Sequence, residues 1–441
     1  MQRINTKDDD FDTRLKSAIQ DRGSDPHNPE IAGRVESIIQ TIRRQGDKAL
    51  LSYAKQWDGI SSDAVLTDLE VSADEMDDAW KQVSTETIAA LQCAAERIHT
   101  FHVKQREQGW SIDTDDGSRL AHRIVPLNRV GIYVPGGTAA YPSSVLMNAI
   151  PAHVAGVSEI IMTTPSPQGP IAPAVLAAAR IAKVDRVFRI GGAQAVAAMA
   201  HGTSLIPKVD KIVGPGNVWV ATAKRQVFGT VDIDMIAGPS EICVLATRDG
   251  GATAEHIAAD LLSQAEHDTQ AMACLISPDE TFIEEILSSI EYQLDSLPRA
   301  EIARESIEKV GLAITVDHLE QAKTVIENIA PEHLELIIPE PDKMAASIRN
   351  ASAIFCGPHT PEAVGDYIAG PNHVLPTSGS ARFFSPLGVY DFVKRINIVR
   401  FSHTLLRELG PAIVHLAEIE GLDGHAQSVR ARLERPETEG S

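Results

Sequence analysis

The chain has 441 residues, of which 43% are hydrophobic, and this length and composition predict two to four globular domains. Its net charge of -20 (60 acidic and 40 basic side chains), without any run of basic residues, argues against nucleic acid as a partner. The four cysteines form no CxxC pair, the amino terminus is polar, and no apolar run reaches the roughly 18 residues that span a bilayer. We therefore expect a cytoplasmic protein with no disulfide framework, thiolate zinc cluster or membrane segment.

Residues 1–118 are predicted to form a mainly helical N-terminal region. Apolar residues recur at helical spacing in segments such as IAGRVESIIQTIRRQGDKALLSYAKQWDG, which ends in glycine. No side chains in this region form a pattern typical of catalysis.

From residue 119 the pattern changes to short β-rich runs that alternate with alanine-rich helical segments. This alternation predicts βαβ units and a parallel sheet. The runs are RVGIYV, EIIMTT, DRVFRI and DKIV. Glycine turns follow the first, third and fourth runs, and each places free backbone amides at the start of a helix, where a phosphate is favoured.

None of the three turns matches GxGxxG, so glycine turns without any ligand remain one interpretation of them. Three turns at one end of one sheet favour a nucleotide site, because ligands of open α/β sheets lie beyond the carboxyl ends of the strands. The side chains that would reach from these turns are Tyr133, Gln194 and Asn217.

A second α/β series begins near residue 242, with strands predicted at ICVLAT, MACLIS, GLAITV, LELII and SAIFCG. Residues 360–392 then contain four glycines and four prolines together with Asp366 and His373. A stretch of this composition is typical of a long functional loop. The tail after residue 380 is helical and too short to fold alone, so it must pack on this chain or another.

Two groups of side chains suggest chemistry. Gln264 and His267 lie three residues apart and project from one helix face. With Asp366 and His373 from the loop and His425 from the tail, they offer nitrogen and oxygen ligands suited to Zn²⁺, although an ordinary surface pair also explains the first two.

The second group is Glu332 and His333, between a predicted helix and a predicted strand. A histidine there could take a proton from an alcohol and the glutamate could polarise a water molecule. A helix-terminal cation beside an exposed acid is an equally good interpretation of the pair. Ser240 and Glu241 follow a Gly-Pro turn and could bind a polar ligand or cap that turn.

The order of several longer motifs resembles the histidinol dehydrogenase family between about residues 30 and 433. The motifs are YVPGG, IGGAQAVAA, GPGNVWV, IDMIAGPSE, DLLSQAEHD, APEHLE, TPEAVGDYIAGPNHVLPTSG, SPLGVYDFVKR and EGLDGHAQSVR. The resemblance implies an α/β fold with two incomplete Rossmann-like parallel-sheet domains, a helical N-terminal region and a small C-terminal helical tail. The implied ranges are 1–118, 119–236 on the NAD side, 237–379 with the zinc and catalytic residues, and 380–441.

The resemblance also implies an activity, the NAD-dependent oxidation of L-histidinol to L-histidine through L-histidinaldehyde, in an intertwined homodimer with one Zn²⁺ per subunit. The implied zinc ligands are Gln264, His267, Asp366 and His425, and the implied catalytic pair is Glu332 and His333. Substrate contacts fall on the zinc ligands, His333, Ser240, His373 and Glu420, and NAD contacts on Tyr133, Gln194 and Asn217. The tail would complete the site of the partner subunit.

Two other functions fit parts of the pattern. A paralogous dehydrogenase could oxidise another small polar alcohol, such as a sulfonated diol, but the presence of Ser240, His373 and Glu420 argues against it. A non-catalytic metal-binding or scaffold protein would have no need for both Glu332 and His333.

Overall fold

The computed structural model describes residues 1–20, 28–136, 140–167, 169–236 and 238–434. The chain divides into two compact units, of which the first comprises residues 1–105 and 127–392 and the second residues 106–126 and 393–441. Residues 137–139 of the first predicted glycine turn, residue 237 and the end of the predicted tail, 435–441, lie outside the described residues. The predicted domain boundaries at 118, 236 and 379 remain predictions.

The described residues contain short strands that form three sheets. In chain order the strands are β1 Gln2–Asn5, β2 Trp110–Asp113, β3 Arg119–Pro126, β4 Arg129–Tyr133, β5 Glu159–Thr163, β6 Arg186–Phe188, β7 Lys211–Val213, β8 Asp232–Ile233, β9 Glu241–Ala246, β10 Met272–Ser277, β11 Leu312–Thr315, β12 His333–Ile337, β13 Ala353–Cys356 and β14 Val393–Arg400.

Helices separate most of the strands, as the alternating pattern predicts. They are α1 Phe11–Gln20, α2 Pro29–Gln45, α3 Asp47–Trp57, α4 Ala73–Gln82, α5 Thr85–Val103, α6 Pro142–Ala155, α7 Pro173–Ile181, α8 Gly192–His201, α9 Val218–Val227, α10 Ala254–Ala265, α11 Glu280–Leu294, α12 Ala300–Lys309, α13 Leu319–Ile329, α14 Pro341–Ala345, α15 Glu362–Tyr367, α16 His403–Ile419 and α17 Asp423–Leu433. Short 3-10 helices lie at Leu66–Leu69, Arg248–Gly250, Ser380–Arg382 and Val389–Phe392.

The first unit contains a five-stranded parallel sheet in the order β6-β5-β4-β7-β8. Its strand order reverses between β4 and β7, which creates a crevice at their carboxyl ends. Apolar side chains of α5, α6 and α7 bury one face, and those of α2, α8 and α9 bury the other. Burial on both faces explains why its strands are continuous apolar runs.

The first unit also contains a six-stranded parallel sheet in the order β1-β11-β10-β9-β12-β13. Helices α10, α11 and α12 cover one face and α1, α13 and α14 the other. The central strand β9 is buried at every residue. The parallel sheets of the predicted α/β fold are therefore present in both series.

Several local features differ from the sequence-based predictions, since β2 lies in the region predicted as mainly helical and β14 in the tail predicted as helical. The mainly helical N-terminal region also supplies β1, which pairs with β11 at the edge of the six-stranded sheet. The predicted long loop at 360–392 contains the six-residue helix α15, which begins after Pro361 and carries Asp366. Pro361 is the extended N-cap residue of this helix, a position that needs no amide hydrogen, so a helical turn can follow it despite the glycine-rich composition.

The second unit consists of the antiparallel sheet β14-β3-β2 and the helices α16 and α17. Residues 106–126 therefore fold together with the tail. No described helix has the length and apolar character needed to cross a membrane, and the cysteines form no disulfide among the described residues.

Candidate active site

A cavity of about 560 Å³ in the first unit is lined by both parallel sheets. The five-stranded sheet contributes the turns after the carboxyl ends of β4 and β7, whereas the six-stranded sheet contributes residues at the amino ends of β9 and β12. The predicted site residues that line this cavity are Asn217, Ser240, His267, Glu332, His333, Asp366 and His373. The structure thus brings together seven residues that are separated by up to about 150 positions in the chain.

His333 is the most buried imidazole of the cavity wall and is held in one tautomer. Its Nδ1 lies 3.1 Å from the main-chain oxygen of Glu241, which can only accept, so Nδ1 carries the hydrogen and donates it. The Nε2 atom therefore has a free lone pair, and it accepts no hydrogen bond from any described residue. Burial lowers the pKa of His333 to about 4, which outweighs the opposing effect of the Asp366 carboxylate. A neutral imidazole with a free Nε2 can accept a proton.

Three carboxyl groups surround this imidazole. His333 Nδ1 lies 3.5 Å from Glu362 Oε1 and 3.8 Å from Glu332 Oε2, and Nε2 lies 3.9 Å from Asp366 Oδ1. Burial raises the pKa of Glu332 and that of Glu362 well above the usual range. Their pKa values therefore move opposite to that of His333, which is the pattern expected of an acid–base site.

The start of β9 fixes the position of the predicted Glu332–His333 pair. The amide of Glu241 donates to Glu332 Oε2 over 2.9 Å, while its carbonyl accepts from His333. These contacts follow from the parallel pairing of β12 with β9, which places His333 beside Ile242. The Glu241 side chain also accepts from the amide of Ser378, over 3.0 Å.

The buried carboxyl groups behind this site are not among the residues predicted from the sequence. Glu362 begins α15, four residues before Asp366, and its amide donates to Glu335 Oε1 over 2.7 Å. Glu335 in turn hydrogen-bonds with Asp260, and burial raises the pKa of both groups. The four-residue spacing of Glu362 and Asp366 is a signal that could have identified Glu362, since it places both carboxyl groups on one helix face.

The predicted metal ligands of the first unit lie on or behind the cavity wall. The amide nitrogen of Gln264 lies 3.0 Å from His267 Nδ1, and the buried Gln264 Oε1 accepts no hydrogen bond from any described residue. A second possible donor set consists of His333, Glu362 and Asp366, whose atoms lie within 4.8 Å of one another. A buried oxygen without a donor and a nearby imidazole fit a borderline cation such as Zn²⁺.

His373 lies next to Asp366 on the cavity wall. Its Nδ1 donates to the main-chain oxygen of Asp366 over 3.1 Å and lies 3.9 Å from Asp366 Oδ1. Burial lowers the pKa of His373, so the neutral form is favoured. Ser240 is half-buried directly before β9 and lines the same cavity.

The residues predicted to contact NAD lie in different environments. Asn217 is exposed and caps α9, where its side chain accepts from the amides of Trp219 and Val220. Tyr133 and Gln194 are only 4% and 3% exposed and are hydrogen-bonded within the first unit. Only Asn217 of the three therefore lines the cavity directly.

A buried ion pair supports the turn that carries Asn217. Lys224 Nζ donates to the Gly214 carbonyl over 2.9 Å, and Asp234 Oδ2 accepts from the Gly214 amide over 2.7 Å. Lys224 and Asp234 also pair directly with each other. Gly214 has φ of +110°, and a Cβ there would lie 2.1 Å from the Tyr133 carbonyl oxygen, so only glycine fits.

The two remaining predicted site residues, Glu420 and His425, belong to the second unit. Glu420 directly follows the last residue of α16, His425 lies in the first turn of α17, and both are exposed. Exposure leaves their side chains available to a ligand or to another chain.

The chain is similar to known proteins over nearly its whole length. Residues 21–433 match the family model described as histidinol dehydrogenase. Histidinol dehydrogenase of Syntrophotalea carbinolica is 54% identical over 434 residues (98% of this chain, 99% of the relative), and that of Geobacter metallireducens is 52% identical over 433 residues (98% of each). The crystal structure of histidinol dehydrogenase from Elizabethkingia anophelis has a TM-score of 0.89 at 37% identity and 98% coverage of both chains. These similarities confirm the expected family and the expected α/β fold class.

Proposed function

Because the chain belongs to the histidinol dehydrogenase family, we propose that the cavity oxidises L-histidinol to L-histidine through L-histidinaldehyde, with NAD and one Zn²⁺ per subunit. Membership in this family makes the chain an oxidoreductase of histidine biosynthesis that acts on histidinol. The proposed mechanism rests mainly on the tautomer of His333. Its Nδ1 donates to the Glu241 carbonyl, which leaves the buried Nε2 without a hydrogen-bond donor among the described residues.

In the first oxidation His333 Nε2 accepts the hydroxyl proton of histidinol. The low pKa of this imidazole, about 4, keeps it neutral and therefore able to accept a proton at neutral pH. Asp366, 3.9 Å from Nε2, favours the imidazolium that results. Ser240, His373 and Glu420 are proposed to contact the substrate.

In the second oxidation Glu332 assists the addition of water to the aldehyde. Burial raises the pKa of Glu332, which makes its carboxylate a stronger base than an exposed glutamate. The Glu241 amide holds one of its oxygens, so the other can face a water molecule. A site that excludes bulk solvent also protects the reactive aldehyde between the two steps.

The residues proposed to hold zinc are Gln264, His267, Asp366 and His425. The buried oxygen of Gln264 and the positions of His267 and Asp366 on one cavity support the first three. Zinc would supply a Lewis-acid anchor for the nitrogen atoms of the substrate. Removing the metal with a chelator should abolish turnover while the circular dichroism of the α/β core persists, because none of the four ligands lies in a strand.

NAD supplies the hydride acceptor of both oxidations. Its proposed contacts are Tyr133, Gln194 and Asn217, at the carboxyl edge of the five-stranded sheet. Two NADH molecules should form for each L-histidinol consumed. A ratio of one, or turnover of another small alcohol in preference to histidinol, would contradict the proposed reaction.

We also propose a homodimer in which Glu420 and His425 complete the site of the partner subunit. The second unit exposes large apolar side chains near these residues and on its sheet, which a second copy of the chain would cover. They are Trp110, Ile112, Val399, Leu416 and Ile419, each at least 53% exposed.

Mixing two inactive variants tests the shared site. In a heterodimer of His333→Asn and His425→Asn, one site would carry both lesions and the other neither. Random re-pairing makes about half the dimers mixed, so refolding the variants together with zinc should restore roughly a quarter of wild-type activity. If no activity returns while a refolded wild-type control recovers, each site belongs to a single chain.

A further inference from the structure

The first turn of α8 lies against the end of α3. Asp58 follows α3 directly and is 3% exposed. Its Oδ1 accepts from the Gly191 amide over 3.0 Å, and its Oδ2 accepts from Gln194 Nε2, also over 3.0 Å. The next amide, that of Gly192, donates to the Tyr133 hydroxyl over 3.1 Å. A carboxylate from the N-terminal region thus occupies the amino end of this helix.

This arrangement changes what the glycine turn before α8 can bind. A helix amino terminus attracts an anion through its free amides and its dipole, and here the Asp58 carboxylate already supplies that charge. Gly191 is also closely packed, since a Cβ there would lie 2.5 Å from Pro165 Cβ and 3.1 Å from Asp58 Oδ1. The amino end of α8 therefore holds Asp58 in place of a cofactor phosphate.

The carboxylate also sets the orientation of the Gln194 amide. An ionised carboxylate only accepts hydrogen bonds, so Gln194 must direct its NH₂ group at Asp58. Its Oε1 is then on the other side of the amide group, where a Cβ on Gly192 would lie 2.8 Å from it. Burial raises the pKa of Asp58 to about 6, so the group remains ionised at the mildly alkaline pH of a dehydrogenase assay.

We propose that Asp58 is a positioning residue for the nicotinamide cofactor, because it takes up the NH₂ group of Gln194 and leaves the amide oxygen to accept from a donor group of the cofactor, such as a ribose hydroxyl. This inference rests on the proposed contact of Gln194 with NAD. It assigns Asp58 no contact with the cofactor or the substrate.

The variant Asp58→Asn should reverse the orientation of the Gln194 side-chain amide. Its side-chain oxygen can still accept from the Gly191 amide, but its NH₂ group then faces Gln194, which must rotate to present Oε1 inward. The Gln194 NH₂ would face the cofactor donor, and two donors repel. We expect the dissociation constant for NADH, measured by fluorescence titration, and the KM for NAD to rise about tenfold, with kcat at saturating NAD nearly unchanged.

A second substitution should reverse the effect. In Asp58→Asn combined with Gln194→Glu, the new carboxylate accepts from the new amide and again turns an oxygen outward, with the same net charge as the wild type. This double variant should bind NADH within about threefold of the wild type. Gln194→Glu alone should bind worse, since it places two carboxylates about 3 Å apart.

Asp47→Asn is the matched control for a general loss of the contacts that hold α3 in place. Asp47 is the first residue of α3, and its carboxylate accepts from the amides of Ser204 and Leu205, over 3.2 Å each, beyond the other end of α8. Each single variant removes one carboxylate that joins an end of α3 to residues at or beyond an end of α8. Only Asp58→Asn should weaken NADH binding, whatever the two melting temperatures are.

Gln194→Ala separates this inference from the proposed function. If Gln194→Ala leaves NADH affinity unchanged, Gln194 does not contact the cofactor and the proposed contact is wrong. If Gln194→Ala weakens binding but Asp58→Asn does not, or the double variant fails to recover it, the contact stands and the positioning role of Asp58 is overturned.

Discussion

The two parallel sheets present opposite edges to the cavity. Buried carboxyl groups have a lysine partner at one edge and no lysine or arginine partner among the described ion pairs at the other. At the carboxyl edge of the five-stranded sheet, Asp234 is paired with Lys224 and both are bonded to Gly214. At the amino edge of the six-stranded sheet, Glu332 and Glu362 surround His333 without any lysine or arginine among the ion pairs that the structure describes. We call these the paired edge and the unpaired edge.

The two edges therefore have different roles, one in holding a turn in place and the other in proton transfer. A buried carboxylate beside a cation stays ionised and holds its hydrogen-bond donors firmly, as the Gly214 turn requires. A buried carboxyl group without a cation has a raised pKa and can exchange protons near neutral pH. Substitutions at the paired edge should therefore change stability, and those at the unpaired edge should change activity.

The largest expected effect is that of His333→Asn at the unpaired edge. Asparagine can still donate to the Glu241 carbonyl but cannot accept the substrate proton, so kcat/KM for histidinol should fall by about 10²- to 10⁴-fold. Oxidation of supplied histidinaldehyde should fall much less. His359→Asn, at an exposed histidine, is the control and should leave both reactions unchanged.

Glu332→Gln should show the complementary pattern. Glutamine keeps the oxygen that accepts from the Glu241 amide and loses the charge that polarises water. Aldehyde oxidation should fall by about 10²-fold and alcohol oxidation by less, with the melting temperature maintained. Equal losses of both reactions in this variant and in His333→Asn would show that the two residues do not divide the steps.

At the paired edge, Lys224→Met should destabilise the fold by about 3–5 kcal/mol, because it leaves the Asp234 carboxylate buried without a cation. Urea titration measures this change. Lys309→Met is the matched control, since it breaks an exposed pair with Glu305 and should change the free energy of unfolding by less than about 1 kcal/mol. If both variants change the free energy of unfolding by similar amounts, the buried ion pair does not stabilise the paired edge more than an exposed pair would.

Much of this architecture is visible in the sequence because buried parallel strands are continuous apolar runs. The run RVGIYV corresponds to β4, and LELII corresponds to most of β12. The short, polar β1 gives no such signal, since it becomes a strand only by pairing with β11, about 300 residues away in the chain. The local sequence pattern predicts a strand or helix when the apolar side chains of that segment are themselves buried in the fold.

The site residues also divide into those with a local sequence signal and those without one. Glu332 and His333 are adjacent in sequence and lie at a predicted helix–strand junction, so their shared position could be inferred. Asp58 has no local signal, because its partners Gly191 and Gln194 lie more than 130 residues away. Lys224 has no feature in the sequence that signals burial, and only the fold shows that it is 2% exposed.

The last prediction concerns the pH dependence of stability at the buried carboxyl groups behind the unpaired edge. Burial raises the pKa of Glu335 well above its ordinary value of 4.5, and the Asp260 charge adds to this. The folded chain therefore holds a proton that the unfolded chain releases, so the free energy of unfolding decreases as pH rises above about 5, by at most about 1.4 kcal/mol per pH unit. Glu335→Gln keeps an oxygen for the Glu362 amide and has no proton to lose.

The stability of Glu335→Gln relative to the wild type should consequently increase between about pH 5 and pH 8. Urea titrations at several pH values measure this difference. A difference that stays constant with pH would mean that Glu335 is ionised in the folded chain. The unpaired edge would then hold its carboxylates as the paired edge does, and proton exchange would have to be confined to Glu332 and His333.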